Sequence, residues 1–73
     1  MIPRESFINK IRELNYSFRS QQKRTLLYRK KGGTHCIFVS MADKLEDDFV
    51  IGALRQAGVP DKEIKAFLSL VKI

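Results

Sequence analysis

The chain is short of several things, and each shortage removes a class of function. It has one cysteine (Cys36), one histidine (His35), two prolines and no tryptophan. A lone cysteine excludes an internal disulfide and any cysteine-based zinc cluster, and it fits a reducing compartment. The longest apolar run, Cys36 to Val39, is four residues, far below a membrane span or the apolar segment of a secretory signal. The expectation is a soluble cytoplasmic protein with no membrane association. Glycine is equally scarce: Gly32-Gly33 matches neither a Walker nor a dinucleotide-binding pattern, so no nucleotide cofactor is expected. No repeat, low-complexity segment or linker interrupts the 73 residues, which form one domain.

Carboxylates are missing from the front of the chain in particular. Through Ser40 there are nine Lys and Arg against Glu5 and Glu13, a net +7. Beyond it, five cations face six carboxylates, a net −1, and the two parts sum to the overall +6. A folded domain with one electropositive region suits a negative partner, of which nucleic-acid phosphate is the commonest. The competing explanation is a charged surface that merely keeps the protein in solution. An apolar fraction of 44% is too high for a disordered basic tail, so the charge sits on a packed domain.

Periodicity predicts the elements. Pro3 suits the first turn of a helix. Phe7, Ile8, Ile11 and Leu14 form one apolar stripe over about Arg4–Leu14, with Asn15 as a left-handed terminator. Tyr16, Phe18 and Ser20 alternate with Ser17, Arg19 and Gln21 as a short strand. Gln21–Arg24 is polar and makes a turn or a frayed strand end before a second strand, Thr25–Lys30. Gly32-Gly33 then supplies a two-residue hairpin loop into a third strand, His35–Ser40. That loop sets Lys30 opposite His35, Tyr28 opposite Ile37 and Leu26 opposite Val39. Leu26, Tyr28, Ile37 and Val39 would therefore lie under the helices. Thr25, Leu27, Arg29, Cys36, Phe38 and Ser40 would occupy the other, half-covered face.

Asp47 or Asp48 should cap a second helix carrying Val50, Leu54 and Ala57, which Gly58 ends. Pro60-Asp61 opens a last helix striped by Ile64, Phe67, Leu68 and Val71. Gly52 in mid-helix costs up to about 1 kcal/mol relative to alanine, and close packing on the sheet is the expected reason, with a partner contact second. The fold class is α+β: a three-stranded antiparallel sheet with helices on one face, in the order α-β-β-β-α-α.

That order, the basic front, Asn15-Tyr16 and the helix end Leu54-Arg55-Gln56-Ala57-Gly58 resemble the HicA-type mRNA interferase toxins. Those have a double-stranded-RNA-binding-domain-like fold, and the family usually has a glycine followed by an aromatic where Asn15-Tyr16 stands. The family's catalytic Gly-Ser-His-His type segment falls here on Lys23-Arg24-Thr25-Leu26, which places Thr25 at the catalytic position. A threonine without a neighbouring base is a poor general acid or base. The resemblance therefore implies the scaffold and RNA contact without the family's cleavage step. It also brings an antitoxin-like partner into view.

The candidate binding site is the basic set Arg19, Lys23, Arg24, Arg29, Lys30 and Lys31. Two clusters at opposite ends of the second strand, on the order of 20 Å apart, could follow several phosphates. Leu27 and Phe38, if exposed between them, would offer a base a flat surface for stacking; core or dimer interface is the alternative for Phe38. Two rival readings stand beside RNA binding. One is an atypical ribonuclease using His35, although one exposed imidazole seldom suffices. The other is a protein-interaction or homodimerisation module docking through Leu27 and Phe38. Asp43, Glu46, Asp47 and Asp48 are read as helix-capping residues in preference to a divalent-metal site, so no metal is expected.

Overall fold

The computed structural model describes residues 1–71 and has the expected α+β architecture. In chain order the elements are β1 (Ile2–Pro3), α1 (Arg4–Glu13), β2 (Tyr16–Gln22), β3 (Thr25–Lys30), β4 (Cys36–Ser40), β5 (Lys44–Leu45), α2 (Asp47–Gln56) and α3 (Asp61–Val71). Strands β2, β3 and β4 form an antiparallel sheet with β3 in the centre. The molecule is only 16 Å thick along its shortest axis, which admits one sheet and one layer of helices.

A single core lies between them. Phe7, Ile8 and Ile11 of α1, Val50 and Leu54 of α2, and Ile64 and Phe67 of α3 are buried against Tyr16, Tyr28, Ile37 and Val39 of the sheet. Leu26 packs on its margin, on the same face. The predicted helical stripes and the predicted inward strand residues thus meet as complementary surfaces.

Two short strands were outside the sequence expectation. β1 pairs with β5, Ile2 opposite Leu45, and both of these side chains are buried. The ribbon also serves α1: the Arg4 N–H, unpaired within its own helix, donates to the Asp43 carbonyl. Pro3 consequently lies just before α1 instead of in its first turn.

The hairpin register is the predicted one, with Leu26 opposite Val39 and Tyr28 opposite Ile37. The turns differ. Between β3 and β4 the connection spans residues 31–35, and within it Gly33 N–H donates to the Lys30 carbonyl and Gly32 takes φ +74°. The two-residue loop belongs instead to β2–β3, where Gln22 pairs with Thr25 around Lys23-Arg24. Lys23 takes φ +53° there, the left-handed geometry that tight hairpins require and glycine usually supplies. Gln21 and Gln22 are therefore strand residues, and the third strand begins at Cys36.

A second correction concerns β2. Its register shifts between Phe18, opposite Tyr28, and Ser20, opposite Leu27, so Arg19 is an extra residue in a β-bulge. Simple alternation put Ser20 on the face of Phe18. The bulge puts it on the opposite one.

At α2 the N-cap is Glu46, without a side-chain capping bond, and Asp47 and Asp48 lie in the first turn. The Asp47 carboxylate reaches the Met1 ammonium at 2.9 Å. The C-terminus of α2 is as expected: Gly58 at φ +88° donates to the Arg55 carbonyl and Val59 to that of Leu54, a Schellman closure. Gly52 is not explained by close packing, because a Cβ built there meets nothing within 4 Å.

Candidate nucleic-acid interface

Alternation along three paired strands generates two unlike faces. The side away from the helices is a grid of three rows: Gln22, Thr25 and Ser40; Ser20, Leu27 and Phe38; Ser17, Arg29 and Cys36. Among the described residues no helix covers it, and neither Leu27 nor Phe38 joins the core. Phe38, in the middle row on the outer strand β4, is 61% exposed.

The cations border that grid. Arg19, Arg29, Lys30 and Lys31 line one concavity with Ser17, Gly32, Gly33 and Thr34. The bulge helps here, since the extra residue lets Arg19 share the hollow of Ser17 and Arg29. Arg29 is steadied by a bond from Nε to the Gly33 carbonyl at 3.1 Å, which leaves its terminal nitrogens for an anion. Lys30 occupies an inward register position, but it lies beyond the helices and is exposed.

At the other end of β3, Lys23 lines a hollow of the open face with Ser20, Gln22, Thr25, Leu27 and Phe38. Arg24 turns towards the rim, beside Ser40, Met41 and Ala42. Five steps along β3 separate the two groups by about 17 Å.

All six cations are exposed, and among the described residues none pairs with a carboxylate. Ion pairs occur elsewhere, between Met1 and Asp47 and between Arg55 and Asp61. Arg4, also in the basic front, is diverted into a bond with the Met41 carbonyl. The structure thus gathers four of the six predicted site residues closely, sets Lys23 across the open face from them, and leaves Arg24 at the edge. Ser17 and Thr34, absent from the sequence reading, add hydroxyls to the hollow. Ser17 could have been found only by knowing the β2–β3 register, whereas Thr34 follows Gly32-Gly33 directly in the connection.

His35 belongs to the other side of the sheet. The Tyr16 hydroxyl lies 2.6 Å from His35 Nδ1, and the rings meet edge to face with centroids 5.8 Å apart. Burial, with a smaller contribution from Cys36, pushes the Tyr16 hydroxyl above its ordinary value near 10. Tyr16 therefore stays protonated at neutral pH, with its hydroxyl held against the imidazole Nδ1. His35 does not line the basic hollow. Thr25 lies at the far end of β3, on the order of 17 Å from it.

Among the described residues no three His, Cys, Asp or Glu side chains gather as a metal site, and no helix is long and apolar enough to cross a membrane. No family model, curated protein or solved structure matches the chain. The HicA-type likeness consequently rests on the short motifs quoted above.

Proposed function

We propose that the protein binds RNA through the open face of its sheet and has no autonomous nuclease activity. One observation carries the reading: four exposed cations, free of carboxylates, converge on one concavity beside a bare sheet face. Phosphate contacts come from Arg19, Arg29, Lys30 and Lys31, with Lys23 and Arg24 continuing the charge at the other end. The absence of catalysis follows from separation, since Thr25 has no histidine near it and His35 is tied to Tyr16 on the opposite face. The HicA-like order of elements supports the same RNA-binding scaffold, in a cytoplasmic setting.

Titrating RNA at about 50 mM and about 200 mM salt tests this. Binding should weaken steeply between the two, with a log–log slope near −0.7 per phosphate contact for single strands. Replacing Arg29, Lys30 and Lys31 together by alanine should reduce both affinity and slope. Salt-insensitive binding, or none, would remove the reading. RNA cleavage lost in His35→Ala would establish the ribonuclease instead.

A second reading has its own observation. Among the described residues strand β4 is an unpaired sheet edge, and beside it runs a groove lined by Cys36, Phe38, Phe49, Gly52 and Ala53. A strand from a second copy, or from an antitoxin-like partner, could pair there. Sedimentation over a concentration series distinguishes this case, with Phe38→Asp abolishing association.

A further inference from the structure

The exposed aromatics of this sheet differ in a way that bears on which form of RNA the open face can hold. Phe18, 52% exposed, lies opposite Tyr28 and packs edge-on against it at 5.8 Å, on the helix side. Phe38, 61% exposed, lies opposite Leu27 on the bare side and meets no other aromatic ring among the described residues. It sits on the outer strand β4 in the middle row of the grid, one row from that of Arg29, and shares a hollow with Lys23 and Leu27. Cations therefore flank an apolar centre; they do not fill it.

A duplex fits that arrangement badly. Its bases are stacked inside the helix, so a duplex resting on both cationic ends would set sugar and phosphate against the Leu27–Phe38 row. An unpaired strand fits well: its phosphates follow the charged ends, and an unstacked base lies flat on the ring between them. Resting on the RNA-binding reading above, we infer that the open face takes single-stranded RNA, with one base stacked on Phe38. Arg19 and Arg29 hold the backbone on one side of that base and Lys23 on the other. Any base has a flat face to offer, so the stack adds affinity with little sequence preference.

The experiment measures fluorescence anisotropy with a labelled uridine oligomer of about 12 nucleotides and with an RNA duplex of about the same length. Wild type should prefer the single strand. Phe38→Ala should weaken single-strand binding by about 5- to 150-fold, the range of one lost base stack, and leave duplex binding unchanged. Phe38→Tyr should restore it, Phe38→Leu should not, and Phe18→Ala should have no effect. Equal binding by wild type and Phe38→Ala, or tighter binding to the duplex, overturns the inference. If the Arg29, Lys30 and Lys31 alanine variant still loses salt-dependent affinity in that case, the RNA-binding reading survives alone. If no RNA form binds in a salt-dependent manner, both fall. A dimer in sedimentation that Phe38→Ala dissolves assigns the ring to self-association and also overturns the inference.

Discussion

The two faces of the β2–β3–β4 sheet are built from alternate residues of the same strands, yet they have opposite chemistry. On one, Tyr16, Tyr28, Ile37 and Val39 are buried beneath the helices. On the other, Leu27 and Phe38 share a surface with hydroxyls, amides and arginine. A covered face is selected for packing. A bare face tolerates an exposed ring, and the ring gains meaning here from the cations that share its surface. Neighbours in sequence thus meet different surroundings: Ile37 lies in the core and Phe38 in the open.

The sharpest way to break this contrast is to treat those two neighbours alike. Ile37→Ala should cost about 2–5 kcal/mol in urea unfolding, a large share of the roughly 4–11 kcal/mol available to a domain of this length. Phe38→Ala should change stability by less than about 0.5 kcal/mol. Similar losses from both would mean that the outer face is packed after all. Next in size, the triple replacement of Arg29, Lys30 and Lys31 should lower the RNA salt slope by up to about 2 while leaving the unfolding midpoint nearly unchanged.

Lys23→Gly should separate stability from binding at one position. Relief of its left-handed backbone should stabilise the fold by about 0.5–1 kcal/mol, read from the unfolding midpoint, while RNA affinity falls with the lost charge. The smallest effect concerns the covered face. Tyr16→Phe removes a hydroxyl bond worth about 1 kcal/mol at neutral pH. Because the Tyr16 value is raised on folding, its contribution is complete below pH 10 and declines as pH rises through the folded value. Melting curves of the two proteins should therefore converge in alkali.

Much of this was readable in the chain, and the failures have specific causes. The β3–β4 register was legible because Gly32-Gly33 marks the centre of the connection, and counting outward from it sets Tyr28 opposite Ile37. The helices were legible because their stripes repeat at helical spacing and Gly58 has the conformational freedom that a helix end needs. The bulge was not: after Phe18 the strand reads Arg-Ser-Gln-Gln, polar in either phase, and nothing reveals which side each residue takes. Glycine chemistry favoured Gly32-Gly33 for the tight loop, but pairing of β2 with β3 imposed the closer turn on Lys23-Arg24. Two-residue strands such as β1 and β5 present no period at all. The six candidate cations stood out by charge clustering. The approach of Arg19 and Ser17 to Arg29 depended on the β2–β3 register and the extra residue at Arg19.

That extra residue also bears on how such molecules could assemble. The sheet has two outer strands, but β2 is kinked at Arg19 while β4 runs regularly. An interrupted margin is a poor template for further strands, and only one regular margin remains. Two copies meeting through their β4 strands would use up every straight border between them, so growth would stop at a pair and no filament would form.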